Sequence, residues 1–328
     1  MYLPPLIIRG GLRLFRPAFA SRKISVATKR RLVDGLATAA RPPAGTVYEA
    51  PSRIAGLTIE RVRPPREESG RVLLFLHGGG YALGSARGYR GLAGALADAA
   101  RMQAVIPDYP LAPENPYPRA LRDVNDLYLQ LINDGVDPQH LVVAGDSAGG
   151  GLTLALAMTL RDQGAPLPAG LGLICPWLDL ASDTAGTRAA GRDPLVIPKM
   201  TAEWATPYTG QADPADPLIS PARGVLAGLP PIVMHSAGRD PIAADADLLE
   251  RRFAAAGGSG SLSHHRFPTL WHDFHLQIGF LRSADTAVAS LGATLGDLAD
   301  PRQPDHATPA AAVAPAAPPR LATQLAND

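Results

Sequence analysis

From residue 57 onward, short β-rich apolar runs alternate with longer segments whose apolar positions recur at helical spacing. This pattern predicts strands at 57–63, 72–77, 103–108, 141–145, 170–175, 231–236 and 261–267. Between them it predicts helices at about 86–101, 119–134, 148–163, 243–256 and 284–298. Such alternation is the sequence sign of an α/β fold, a mostly parallel central sheet flanked by helices. Three segments depart from it. Residues 1–55 carry two weaker helical patterns, at about 8–20 and 24–40, closed by Arg41-Pro42-Pro43-Ala44-Gly45. These read as a helical element appended to a body spanning 56–300. Residues 179–221 break the alternation with Pro, Asp and Trp and no clear strand, as an insertion lying over the end of the sheet would. Residues 301–328 are Ala/Pro-rich, offer no face to bury, and are expected to be a disordered tail.

Composition narrows the class. The 328 residues are 46% hydrophobic and 19% charged, with a mean hydropathy of +0.02, so a large core is available and a disordered chain is excluded. No apolar run approaches the length of a membrane span, and stable membrane insertion is not expected. Lys+Arg 31 against Asp+Glu 30 leaves a formal +1, which supplies no field for nucleic acid. The single cysteine, Cys175, can form neither an intramolecular disulfide nor a thiolate metal site. Near the N-terminus, Pro4, Pro5, Arg9, Gly10, Gly11 and Arg13 interrupt any signal-like apolar region, so a cytoplasmic protein is expected.

The sharpest chemical signal is Gly145-Asp146-Ser147-Ala148-Gly149, a G-x-S-x-G between an apolar strand and an apolar helix. A bare G-x-S-x-G is often a simple turn. In strand-turn-helix context, the glycines permit a tight turn that holds a serine hydroxyl out at the sheet's edge, over a helix N-terminus that favours developing negative charge. A second signal, His77-Gly78-Gly79-Gly80-Tyr81, follows the strand at 72–76. Its consecutive glycines can expose backbone N–H groups to an oxyanion, and it has neither a P-loop lysine nor dinucleotide-fold spacing. A nucleophilic serine also needs a base and an orienting acid later in the chain. For the acid, Asp240 competes with Asp245 and Asp247; for the base, His272 competes with His275, while His264 and His265 fall inside a strand.

These residues closely resemble the hormone-sensitive-lipase-like branch of the α/β-hydrolases, which contains bacterial esterases and lipases. The resemblance runs from about Arg71 to Phe280. It includes the H-G-G-G block, the G-D-S-A-G-G elbow at 145–150, Asp108-Tyr109-Pro110-Leu111-Ala112-Pro113-Glu114, Pro176-Trp177-Leu178-Asp179-Leu180 and Leu218-Ile219-Ser220-Pro221. Pro110 stands where the family usually has arginine, and Asp273 where it often has glycine. The resemblance implies Ser147 as nucleophile, Asp240 as acid and His272 as base. It also implies oxyanion donors at the backbone N–H groups of Gly78, Gly79 and Ala148, with no metal or organic cofactor. Residues 1–55 and the insertion at about 179–221 correspond to a helical cap, with Trp177, Trp204, Tyr208, Leu195, Val196 and Ile197 as candidate linings.

The implied activity is hydrolysis of small or short-acyl carboxylic esters through an acyl-enzyme. The same residues would serve a lactone or amide hydrolase, and a non-enzymatic small-molecule receptor exists on this fold, though such receptors lack the histidine that His272 supplies. The expected partner is a small-molecule ester, and a homodimer is compatible with the sequence.

Overall fold

The computed structural model describes residues 2–182, 192–256 and 261–300. The expected tail and part of the insertion, residues 183–191, lie outside these limits. The strands are β1 (Val47–Tyr48), β2 (Ser52–Ile54), β3 (Leu57–Arg63), β4 (Val72–Leu76), β5 (Gln103–Asp108), β6 (Leu141–Asp146), β7 (Gly170–Ile174), β8 (Ile232–Ala237) and β9 (Leu262–Phe267). They form one sheet in the order β1-β3-β5-β4-β6-β7-β8-β9, with β2 paired to β3. From β5 through β9 every pairing is parallel, whereas β3 runs antiparallel to β5.

Helices cover both faces, and the two-residue period of each strand decides what faces them. Leu73 and Phe75 of β4 join one core with α4 (Ala86–Ala100) and α9 (Arg282–Leu298), through Leu92, Leu96, Leu291 and Leu295. Leu74 and Leu76 point the other way, into a core with α5 (Arg119–Asn133), α6 (Ala148–Asp162) and α8 (Ala243–Ala255). Strands buried on both faces must be apolar throughout, which is why β4 reads Val-Leu-Leu-Phe-Leu.

The N-terminal region forms three helices, α1 (Pro5–Arg13), α2 (Arg16–Ala20) and α3 (Val26–Ala37), where two were expected. The first pattern breaks because Pro17 has no N–H to continue the helix and is accommodated only in the first turn of a new one. A further helix, α7 (Pro198–Thr209), lies in the insertion, where no element was assigned. Phe19 and Met200 are buried together with Ala82 and Leu83 of the H-G-G-G loop, and Phe15, Leu32, Leu36, Leu195 and Trp204 pack around them. This third, smaller core joins the N-terminal helices to the loop after β4 and to the insertion. No helix among the described residues is long and apolar enough to cross a membrane.

Candidate active site

Parallel strands deliver their C-terminal ends to one edge of the sheet, where loops after β4, β6, β8 and β9 meet. The loop after β6 is a single residue. Ser147 sits between β6 and α6 at φ 51°, ψ −120°, a conformation that non-glycine residues seldom hold and that persists only where surrounding structure enforces it. Its N–H donates to the Ile174 carbonyl at 2.8 Å, and its carbonyl accepts from Trp177 N–H at 2.9 Å. The flanking glycines follow from this tight turn. A Cβ on residue 145 would lie 2.4 Å from the Gly149 carbonyl, and one on residue 149 would lie 2.0 Å from the Leu76 oxygen.

His272 lies in the loop after β9 and connects two other side chains. Its Nε2 is 2.9 Å from Ser147 Oγ, and its Nδ1 is 2.7 Å from Asp240 Oδ2. Asp240, buried after β8, is fixed through its other oxygen by Ile242 N–H at 2.9 Å. The imidazole loses some basicity to burial, but the carboxylates of Asp240 and Asp273 outweigh this and hold its pKa well above the ordinary histidine value. Sequence reasoning missed Asp193. This buried carboxylate accepts His272 N–H at 2.7 Å through Oδ2, and Leu195 and Val196 N–H through Oδ1 at 2.8 and 2.7 Å. It therefore ties the histidine loop to the insertion, and burial pushes its own pKa up to about 6. Its only signal in the sequence was an aspartate before Pro194, in a segment with no periodicity.

The rival residues lie elsewhere. His275 is buried against His235, ring nitrogens 3.2 Å apart, and burial holds its pKa well below the usual range. Asp245 accepts the N–H groups of Leu178 and Asp179, each at 2.9 Å, and Asp247 pairs with Arg266 at 2.9 Å. Glu114 of the D-Y-P-L-A-P-E stretch finds a cation that the sequence did not reveal. Arg30 of α3 grips both its oxygens, at 3.0 and 2.7 Å, and also donates to the carbonyls of Ala82 and Ala112.

One expected oxyanion donor needs correction. The Gly78 N–H donates to Asp146 Oδ1 at 2.8 Å, so that proton is directed into the protein and away from the serine. Gly79 and Gly80, by contrast, line the cavity beside Ser147. The Ala148 N–H opens α6, where no carbonyl of its own helix can accept it.

That cavity, about 400 Å³, is walled mainly by apolar side chains, including Leu12, Phe15, Phe19, Leu36, Met200 and Trp204. Among the linings expected from sequence, Leu195, Val196 and Trp204 face it. Tyr208 instead stacks on Tyr81, ring centroids 3.7 Å apart, and Trp177 packs in the core beside them. Two groups of side chains among the described residues bring metal-ligating atoms together. In Cys175, His272 and Asp273, both histidine nitrogens already have partners; in Asp247, Glu250 and His264, both carboxylates already pair with the Arg266 guanidinium.

Over residues 73–276 the chain matches the family described as alpha/beta hydrolase fold. It is 54% identical over 295 residues to LipR of Mycobacterium tuberculosis, whose name proposes an acetyl-hydrolase, covering 90% of this chain and 95% of that one. An acetyl-hydrolase of Streptomyces hygroscopicus is 39% identical over 239 residues, 73% of this chain and 79% of that one. A crystal structure of an esterase from the bacterial hormone-sensitive lipase family superposes with a TM-score of 0.84 at 30% identity, covering 92% of this chain and all of the other. The chain thus belongs to the hormone-sensitive-lipase-like α/β-hydrolases and is a carboxylesterase-like hydrolase.

Proposed function

We propose that Ser147, His272 and Asp240 form a nucleophile-base-acid triad that hydrolyses short-acyl carboxylic esters through an acyl-enzyme. The observation that carries this reading is the single imidazole bonded to Ser147 Oγ on one side and Asp240 Oδ2 on the other. His272 Nε2 takes the Ser147 proton as Oγ attacks the ester carbonyl. Asp240 keeps the other ring proton on Nδ1 and stabilises the imidazolium. The N–H groups of Gly79, Gly80 and Ala148 receive the oxyanion of the tetrahedral intermediate. His272 then returns the proton to the leaving alcohol, and a water repeats the sequence on the acylated serine.

In this reading α1 to α3 and α7 are the cap, and the apolar cavity beneath them accepts the hydrocarbon parts of the ester. The acetyl-hydrolase names of the relatives favour a short acyl group. Ser147→Ala tests the assignment. Turnover of a series of p-nitrophenyl esters should fall below about 1% of wild type, with fluorophosphonate labelling abolished and thermal unfolding unchanged. Retained turnover or labelling would remove Ser147 from the mechanism, and a rate that rises with acyl length would contradict the short-acyl preference.

A further inference from the structure

His272 Nε2 faces a second acceptor besides Ser147. Asp273, the next residue, turns back on itself in the left-handed region at φ 49°, ψ 35°, and its Oδ2 comes within 3.0 Å of the same nitrogen. Asp273 is buried, and its carboxyl faces that of the fully buried Asp146, which is also bonded to the Tyr89 hydroxyl. Two buried carboxyl groups beside a histidine whose Nδ1 already has a carboxylate make two more acids than a Ser-His-Asp triad requires.

We infer that Asp273 is a positioning residue for the base, a second acceptor at Nε2 whose ionisation holds His272 as imidazolium and delays its release to Ser147. The inference rests on the triad reading above. Because Nδ1–H donates to Asp240, a neutral imidazole presents only a lone pair at Nε2. An ionised carboxylate 3.0 Å from a lone pair is repelled, so a proton must lie between them, on the nitrogen or on Asp273. With the proton on the nitrogen, Ser147 has no base. With it on Asp273, the imidazole is neutral, and its lone pair accepts from the serine hydroxyl once the Asp273 O–H turns away from the nitrogen. Among the described residues, the other titratable groups facing this site are Asp146 at the end of β6, Tyr89 of α4, Cys175 after β7, Asp240 after β8, Asp193 from the insertion and, behind the ring, His275. Burial raises the Asp273 pKa against the pull of His272, and burial with the Asp273 charge pushes Asp146 well up. The sign for the base is the reverse. Each nearby carboxylate stabilises the imidazolium, so the acid limb of activity lies above the ordinary histidine pKa and should fall when Asp273 loses its charge.

Asp273→Asn and Asp273→Gly test this, since both residues tolerate the left-handed backbone and only the charge is common to what they remove. The acid limb of kcat/KM should move to lower pH by about 1–3 in each variant, the range expected for loss of one close opposite charge. The pH dependence of Ser147 inactivation by a fluorophosphonate should move with it. A loss of activity equal at every pH, or a limb that stays in place or rises, would overturn the proposal. If that occurs while Ser147→Ala is inactive, the triad stands and only the role of Asp273 falls; an active Ser147→Ala removes both.

Discussion

Gly149→Ala is a single methyl placed where strand, elbow and helix converge. The added Cβ would sit 2.0 Å from the Leu76 oxygen, 2.6 Å from the His77 oxygen and 2.7 Å from the Leu76 carbonyl carbon. All three are backbone atoms, so no side chain can rotate away, and reaching even a tight 3.0 Å contact requires α6 to retreat from β4 by about 1 Å. Overpacking of this kind costs about 3 kcal/mol when the neighbours cannot yield. At roughly 2 °C per kcal/mol for a domain of this size, Tm should fall by about 6 °C. Catalysis should suffer more. Ser147 and Ala148 ride on α6, while Gly79 and Gly80 follow β4, so the same retreat widens the gap between nucleophile and oxyanion donors. A displacement of about 1 Å in a reacting constellation costs about 10²-fold. Thermal unfolding and kcat/KM on a p-nitrophenyl ester are the assays. Gly35→Ala in α3, exposed and with nothing within 4 Å of its added Cβ, is the control, and it should hold or raise Tm. If Gly149→Ala unfolds within 2 °C of wild type and keeps half its kcat/KM, the argument from close backbone approach is wrong.

His272→Ala should lose about 10³-fold or more in kcat. His275→Ala should keep kcat/KM within about threefold at 25 °C yet unfold at lower temperature, because it opens a cavity and leaves the His235 nitrogen unpaired; the opposite pattern would exchange their roles. Arg30→Ala removes the grip on Glu114 and on the Ala82 and Ala112 carbonyls. About 1–2 kcal/mol of stability should go with it, discounted for the exposure of the pair, and KM should rise more than kcat falls. An unchanged KM would show that α3 does not shape the cavity.

Most strand and helix limits from 57 to 298 could be read to within a residue or two because their causes are local: a period, a proline, a glycine. The serine and its glycines were legible for the same reason, since the turn that needs them is written in five consecutive positions. Where the reading failed, the cause lay in direction or in distance along the chain. Composition shows that Gly78 has an available N–H but not that Asp146 claims it. The helix α7 carries Pro198 and Pro207, and its apolar residues divide between Tyr81 below and the cavity above, which leaves no single stripe to detect. Arg30 and Asp193 act on partners far away in sequence, Glu114 and His272. Strands β1 and β2 are too short to show a period at all.

The roof of the cavity comes from two stretches far apart in the chain. Leu12, Phe15, Phe19 and Leu36 emerge first during synthesis, while Met200, Trp204 and Phe280 emerge much later. The first helices are tied to this late stretch: Leu3 N–H bonds to the Phe280 carbonyl at 2.8 Å, and Arg41 N–H to the Ile278 carbonyl at 3.3 Å. At about 5–20 residues per second, the ribosome leaves the first helices without their partners for roughly ten seconds to a minute. Throughout that interval their apolar faces are open to chaperones and to neighbouring nascent chains. Destabilising changes in α1 to α3 should therefore lower the yield of folded protein during synthesis more than they lower the stability of molecules already complete.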